Sequence, residues 1–572
     1  MKFFNTYDTM KTLIECVPNF SEGRDMTVIK QITDEIEKIE GVTLLDVDPG
    51  AATNRTVVTF VGEPEAVVEA AFQAIKKAGQ IIDMRVHHGE HPRFGATDVC
   101  PLVPVAGITM EETVEYARAL AKRVGEELGI HVYCYESAAF DPRRRNLAYC
   151  RAGEYEGLKE KINTPDGKPD FGPAEFNAFS GASAIGARDF LVAINYNLNT
   201  TSTRRANAIA FDVREKGRPQ REGGKITGKP MKDEKGNPIM IPGTLKSTKA
   251  IGWFIEEYGI AQVSMNITNI SDTPVHVAYE EVFTKAAERG VRVTGAEIVG
   301  LVPKKCLIEA GKYYLAKQQR SLGVDEGEII KIAVKSMGLD DLKPFNPEEK
   351  IIEYVMAAGD KRKKLVDMTC TGFANETASE SPAPGGGSIS AYMGSLAAAL
   401  GTMVANLSGH KAGWDDRWKE FSDWAEKGQA LKDELLHLVD EDTDAFNKIM
   451  DAFGLPKKTD EEKAARTAAI QEATKYATEV PFRTMKTAFA TFDIVKAMAE
   501  TGNPNSVSDA GVGALCARSA VLGAHLNVKI NAAGLKDRAF ADKILGEAKT
   551  IAEKAIALEQ EILAVVNQKI EA

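Results

Sequence analysis

The run Val86-His87-His88-Gly89-Glu90-His91-Pro92-Arg93-Phe94-Gly95 gathers three of the chain's eight histidines. Gly89, Pro92 and the lack of periodicity put it on a loop, where reactive side chains often sit. Imidazole titrates near neutrality, so general acid–base catalysis is the first chemistry the run suggests. His87 and His91 also have the HxxxH spacing of a helical metal pair. Gly89 and Pro92 disfavour a regular helix there, however, and no further ligand is evident. A loop histidine can instead serve only to satisfy backbone carbonyls. The spacing does not choose among the three.

A second chemical position is Asp442. On a helix predicted over Gln429–Phe453, the apolar stripe runs Leu431, Leu435, Leu438, Ala445, Phe446, Ile449 and Phe453. At 3.6 residues per turn Asp442 falls inside that stripe, whereas Asp440 and Asp444 point away and are expected in solvent. A carboxylate on a core-facing stripe must be paired, hydrogen-bonded or protonated, and desolvation raises its pKa. That suits a proton carrier near neutral pH; a buried helix-to-helix hydrogen bond is the alternative.

Other polar loops can supply binding groups. Asp48 stands near a strand end before Pro49-Gly50, where turn formation is the competing reading, and Asn54-Arg55 opens the next strand. The glycine-punctuated run from Asp170 to Gly181 precedes the second half of the α/β region, a boundary of the kind that ligands favour. Pro382-Ala383-Pro384-Gly385-Gly386-Gly387-Ser388 precedes a long helix, so it can bring amides close to an anion or act as a hinge. The connection Gly502-Asn503-Pro504-Asn505-Ser506-Val507-Ser508-Asp509 can cap a helix through Ser508 or Asp509, or contact a ligand.

The elements that must position these residues change character along the chain. At 572 residues several domains are expected. The first part alternates strand and helix: strands near Leu13–Val17, Val42–Val47, Thr56–Val61 and Val132–Tyr135, helices from Arg24, from Pro64 and over Met110–Leu128. A similar order follows, with strands at Phe190–Asn197, Ile251–Ile255, Gln262–Ile267 and Val291–Thr294, and helices at Ser202–Arg214 and Val275–Arg289. This predicts two ferredoxin-like α/β subdomains, 1–189 and 190–356. The Gly-, Pro- and Lys-rich Lys216–Lys246 reads as a mobile surface insertion or long hairpin, and a role for its lysines in holding an anionic substrate tail is the alternative. After a charged linker at 357–364, residues 365–572 have helical periodicity throughout, and an all-α bundle is expected.

A net charge of −11 argues against a nucleic-acid partner. The seven cysteines form no CxxC pair, so neither a disulfide framework nor a thiolate zinc site is suggested. No signal peptide and no uninterrupted apolar membrane stretch is evident, which makes the cytoplasm the expected location.

Several runs resemble known enzymes. Glu15-Cys16-Val17-Pro18-Asn19-Phe20-Ser21-Glu22-Gly23, Leu45 to Asp48 with Asn54-Arg55-Thr56-Val57, Gly89-Glu90-His91-Pro92-Arg93 and Gly300-Leu301-Val302-Pro303 resemble glutamate formimidoyltransferases. Ala383-Pro384-Gly385-Gly386-Gly387-Ser388, Asp440 to Phe446, and Gly502-Asn503 with Ser508-Asp509 resemble formimidoyltetrahydrofolate cyclodeaminases. In this order the chain resembles bifunctional formimidoyltransferase–cyclodeaminases over nearly its full length.

The resemblance implies that His91 is the transferase's catalytic histidine and Asp442 the cyclodeaminase's catalytic carboxylate. It implies that Gly172, Pro173, Ala174, Glu175, Phe176, Asn177, Ala178, Phe179, Ser180 and Gly181 line a folate site. Asp48, Asn54, Arg55, Arg93, Gly385, Gly386, Gly387, Ser388, Asn503, Ser508 and Asp509 are further substrate-binding candidates. Formimino-glutamate and tetrahydrofolate are the implied substrates, with no metal, no membrane and a homo-oligomer. Two departures stand out: the Lys216–Lys246 insertion is long, and Ser180 stands where an aromatic residue is familiar. A glutamate formyltransferase with an uncoupled helical half, and a non-catalytic folate-binding scaffold, are the competing readings.

Overall fold

A computed structural model describes residues 12–50, 54–89, 93–224, 228–256, 258–358 and 364–572. Alternation of buried and accessible side chains along Arg55–Gly62 marks a strand with one face on a core, and Val58 and Phe60 are almost wholly buried. In chain order the first layer holds β1 (Leu13–Cys16), α1 (Met26–Glu37), β2 (Val42–Gly50), β3 (Arg55–Gly62) and α2 (Pro64–Ile81). It continues with β4 (Thr97–Ala106), α3 (Met110–Leu128), β5 (His131–Glu136) and β6 (Ala182–Ala187).

Strands β2, β3, β1 and β4 lie side by side and antiparallel, the order a β-α-β-β-α-β unit takes when it folds as a ferredoxin-like layer. Strands β6 and then β5 extend the sheet beyond β4 in parallel. The second layer repeats the unit with β7 (Val192–Leu198), α4 (Thr203–Val213), β8 (Thr248–Ile255), β9 (Ile260–Ile267), α5 (Val275–Ala287) and β10 (Val293–Val299). Its order β8-β9-β7-β10 is antiparallel throughout. The two-layer α/β expectation holds.

Sequence reading passes over β4 and β6. Pro101 and Pro104 interrupt β4 and lack the N–H a ladder uses, while β6 is made of small residues. The turn expected at Pro49-Gly50 is also displaced. β2 runs on to Gly50, which pairs with Arg55, and Pro49 is tolerated because β2 is an edge strand.

By its internal contacts the chain divides into two units, Met1–Glu309 with Met337–Asp360, and Ala310–Ser336 with Lys361–Ala572. The second is helical around α6 (Gly386–Gly409), α7 (Trp418–Gly454), α8 (Asp460–Thr501), α9 (Val507–Ala533) and α10 (Arg538–Glu571). Helix α6 buries small residues such as Gly387, Ala391, Gly394, Ala398 and Gly401, which lets its neighbours approach its backbone. Its best 18-residue window has a mean hydropathy of 1.3, long and apolar enough to cross a membrane by composition, yet 61% of that window is buried within the protein. It is the core helix of the bundle.

Helix α8 passes without a break through Pro481, where two separate helices were expected. Proline has no N–H for the carbonyl four residues back, so Ala477 loses its helical partner. Asn531 of α9 supplies the missing donor, its Nδ2 standing 2.6 Å from the Ala477 carbonyl. All seven cysteines are free, with Cys16, Cys100, Cys134, Cys150 and Cys306 buried.

Asn531→Ala leaves a buried carbonyl unpaired and is expected to cost about 1–3 kcal/mol in denaturant unfolding. Adding Pro481→Ala returns an N–H to that carbonyl and should recover most of the loss; equal loss in both variants contradicts this role.

Candidate active sites

In the first unit, three sequence motifs are tied to one another by backbone polar groups. Asn54 sits in the left-handed region at φ 50°, which asparagine tolerates. Its Oδ1 accepts from the Gly23 amide at 3.0 Å, and its Nδ2 donates to the His88 carbonyl at 3.0 Å. His87 Nε2 donates to the Asn54 carbonyl at 2.8 Å. A carbonyl only accepts, so this ring carries hydrogen on Nε2, and burial holds its pKa below the ordinary histidine value. His87 therefore fixes the loop, and His88 is exposed. His91, with Glu90 and Pro92, lies outside the described residues.

Arg93 was a substrate-binding candidate, but its guanidinium is engaged in holding the loop. It donates to the Met84 carbonyl at 2.8 Å and to the His87 carbonyl, pairs with Glu156 at 2.7 Å, and lies over the Tyr155 ring. Arg55 is half-way to a different centre. It donates to Asn19 Oδ1 and lies 3.4 Å from Asp98, which also pairs with Arg151. Asp98 is 1% exposed, a buried carboxylate between two guanidiniums, and nothing in its sequence context announced it. Asp48 stands exposed on the edge strand β2, with no hydrogen bond or ion pair to a described residue.

The 172–181 loop is bolted to the histidine loop. Met84 N donates to the Phe179 carbonyl at 2.9 Å, Ala96 N to the Ser180 carbonyl at 2.8 Å, and Tyr155 OH to the Ala178 carbonyl at 2.5 Å. Asn177 Oδ1 accepts from the amides of Phe179 and Ser180, both at 3.1 Å. Gly172 (φ 89°) and Gly181 (φ 66°) are in the left-handed region, and a Cβ on either would meet a carbonyl oxygen, Ile130 at 2.2 Å or Phe94 at 2.5 Å. Pro173, Ala174 and Glu175 are exposed, whereas Ser180 is buried with its hydroxyl unpartnered among the described residues.

His131 fixes the same loop and escaped sequence reading. The Asn177 amide donates to its Nε2 at 2.9 Å, so Nδ1 carries the hydrogen and donates to the Pro173 carbonyl at 2.6 Å. It is fully buried, and burial lowers its pKa. Glu15 on β1 is buried as well. Its removal from water pushes its carboxyl up to about 7, opposed by Arg188.

In the helical unit the glycine run and Asp442 meet. Asp442 Oδ2 accepts from the Ser388 amide at 2.8 Å and from Ser388 Oγ at 3.0 Å, in the first turn of α6. The donating amide belongs to a helix N-terminus, which favours an anion. Gly387 is the reason the carboxylate fits, because a Cβ there would stand 2.0 Å from Asp442 Oδ1. Burial raises the Asp442 pKa, and the two Ser388 donors oppose that rise. Gly386 faces Asn527 of α9, whose Nδ2 would lie 3.3 Å from a Cβ at that position, and Gly385 is the N-cap.

Three expectations on this helix need correction. Asp440 is not solvated: it is half-buried and accepts from the Leu365 amide at 2.6 Å. Phe446 and Phe453 are not core residues, being 37% and 50% exposed, whereas Ala445 and Ala452 of the same helix are buried. Glu441 was overlooked, although His437 stands four residues before it. It is buried, bonded to His437 at 2.7 Å and to the Tyr476 hydroxyl, and held down to about 2 chiefly by His437.

Asn503, Ser508 and Asp509 are not brought to Asp442 within the chain. The Asn503 amide donates to Ser408 Oγ at 2.8 Å, at the far end of α6. Ser388 and Ser408 are twenty helical residues apart, about 30 Å at the standard rise. Ser508 is exposed, and neither it nor Asp509 caps α9; the Asn503 side chain instead caps the short turn at Pro504–Ser506. Among the described residues no group of three or more His, Cys, Asp or Glu side chains is placed to hold a metal.

Family models match nearly the whole chain: the N-terminal subdomain of the formiminotransferase domain over 13–188, the formiminotransferase domain over 193–357, and formiminotransferase-cyclodeaminase over 369–550. Such a chain is a two-part enzyme, a transferase joined to a deaminase. It is 44% identical to the formimidoyltransferase-cyclodeaminase of Gallus gallus over 531 residues, 93% of this chain and 94% of the relative. The front part is 45% identical to the glutamate formimidoyltransferase of Thermoplasma acidophilum, covering 56% of this chain and 96% of that protein. The helical part is 42% identical to the methenyltetrahydrofolate cyclohydrolase of Methylorubrum extorquens, covering 35% of this chain and 95% of that protein. The chain belongs to the formimidoyltransferase–cyclodeaminase family.

The raised Glu15 value makes folded protein hold a proton that the unfolded chain releases near its ordinary pKa. The contribution of Glu15 to stability is therefore fully present below about 4.5 and is lost as pH rises through about 7. Glu15→Gln should raise the melting temperature by an increment that grows from pH 5 to pH 8, worth on the order of 3 kcal/mol at the upper end. A pH-independent increment contradicts the assignment.

Proposed function

We propose that this enzyme transfers the formimino group of N-formimino-L-glutamate to nitrogen 5 of tetrahydrofolate, then closes the product to 5,10-methenyltetrahydrofolate with release of ammonia. In the first step nitrogen 5 attacks the formimino carbon. His91 takes the proton that nitrogen 5 loses and returns it to the departing glutamate amine, so the old carbon–nitrogen bond breaks as the new one forms. The reading of His91 rests on the Gly89–Arg93 resemblance. The bonds from the 172–181 loop to Met84 and Ala96 support a rigid bed for folate.

In the second step nitrogen 10 attacks the same carbon. Asp442, ionised at the start, accepts the nitrogen 10 proton and delivers it to the amino group, which leaves as ammonia. The observation that carries this reading is the carboxylate held by the Ser388 amide and hydroxyl at the glycine-opened start of α6. Burial raises its basicity, while the two donors keep it available as an anion. Gly385, Gly386 and Asn527 leave backbone and amide groups beside it for the substrate. Neither step requires a metal or a nucleotide, and the same reading takes the chain as a cytosolic homo-oligomer.

The test is purified protein given formimino-glutamate and tetrahydrofolate, with methenyl absorbance and ammonia followed together. Asp442→Asn and Gly387→Ala should keep transfer and lower cyclisation by about 100-fold or more, and His91→Ala should lower transfer comparably. Normal methenyl formation in Asp442→Asn, or normal transfer in His91→Ala, contradicts the corresponding role.

A further inference from the structure

Of the two forms its composition allows, the Lys216–Lys246 insertion takes the long hairpin among the described residues. Its ends pair as the two-residue strands Arg218–Pro219 and Met240–Ile241, and Gln220 N, Met231 N and Ile239 N continue the hydrogen bonding between its arms. Its base is pinned to the end of α4. A Cβ at Gly217 would stand 1.8 Å from the Ile241 carbonyl, and one at Gly243 would stand 2.0 Å from the Arg214 carbonyl. The hairpin therefore lies over α4 as a fixed second wall.

Helix α4 has two faces. Ala206, Ile209, Ala210 and Val213 are buried, whereas Arg204, Asn207, Ala208 and Phe211 follow one another at helical spacing on a different side. That second side and the hairpin enclose a cavity of about 700 Å³, a size typical of organic-ligand sites. Its floor is apolar, from Ala208, Phe211, Met231 and Ile241, and its polar wall holds Arg204, Arg218 and Arg221. Among the described residues no acidic side chain lines it.

Two of the three arginines have no carboxylate partner among the described residues, and the third shares one. Arg218 shares Asp212 with Arg289. Arg221 donates to the Gly228 carbonyl at 2.9 Å, and neither it nor Arg204 has a carboxylate partner among the described residues. In a chain of net charge −11, three guanidiniums around an apolar floor mark a place for negative charge. Guanidinium forks match carboxylate and phosphate oxygens, and an aromatic floor accepts a flat ring.

We propose that this pocket binds an organic anion, with a carboxylate or phosphate held by Arg204, Arg218 and Arg221 and a flat apolar body lying against Phe211 and Met231. The site belongs to the second α/β layer and uses none of the residues assigned to transfer or cyclisation. It is a further ligand site, separate in its residues from the two reaction sites.

The experiment is calorimetric titration of the full chain with 2-naphthyl phosphate and, separately, 2-naphthoate, in wild type and in the double variant Arg204→Glu/Arg221→Glu. Arg218 is left in place because it holds Asp212. Arg204 is exposed and Arg221 half-buried, and an unchanged thermal melt establishes that the variant is folded. Wild type should bind at least one of the probes at one site per chain, and the variant should bind it about tenfold more weakly or worse. The stronger of the two probes identifies the anion class. Equal affinity in the folded variant, or no binding of either probe to wild type at millimolar concentration, overturns the proposal.

Discussion

A carboxylate can sit against the first turn of a buried helix only if the helix offers donors and no side chain stands in the way. Both conditions meet at Ser388 and Gly387. The Ser388 amide is one of the donors that every helix leaves unpaired at its start, and the hydroxyl adds a second. Gly387 leaves the space that any other residue would fill. Two opposed effects then set the Asp442 proton affinity: burial drives it up, and the Ser388 donors restrain it. A group balanced in this way can be an anion at rest and still accept a proton in a reaction.

The transferase half follows a different rule. Its loops are fixed to one another chiefly through main-chain groups, with Asn54, His87, Arg93, Asn177 and His131 as the ties. Two of these ties are histidines. His131 is a neutral bridge whose ring hydrogen is assigned by the amide and the carbonyl it faces, and His87 is tied to the Asn54 carbonyl through Nε2. Asp98, between Arg55 and Arg151, anchors charge below the loops in the same fixed manner.

The strand and helix alternation was legible because its periods are strong, and Met110–Leu128 is bounded by a Thr109–Glu112 capping box that sequence alone displays. Strand Thr97–Ala106 was not, because two prolines removed the expected pattern. Asp442 could be singled out from helical spacing, since Leu435 and Leu438 do form the core beside it. Its partner could not, because Ser388 lies 54 residues away and only the packing of two helices joins them. Glu441 and Asp440 show the limit of a face argument, as each finds a partner from another element that a helical wheel does not contain. The separation of Asn503 from Ser388 along one helix is likewise invisible until the helix has a length.

The pH profile of cyclisation in Ser388→Ala probes the carboxylate most directly. Removing the hydroxyl takes away a donor that lowers the Asp442 pKa while burial continues to raise it. In the proposed ring closure Asp442 acts as the anion, so the acid limb of cyclisation should move to higher pH in this variant while the acid limb of transfer stays where it is. An unmoved cyclisation limb, or equal movement of both limbs, contradicts Asp442 as the proton carrier of ring closure.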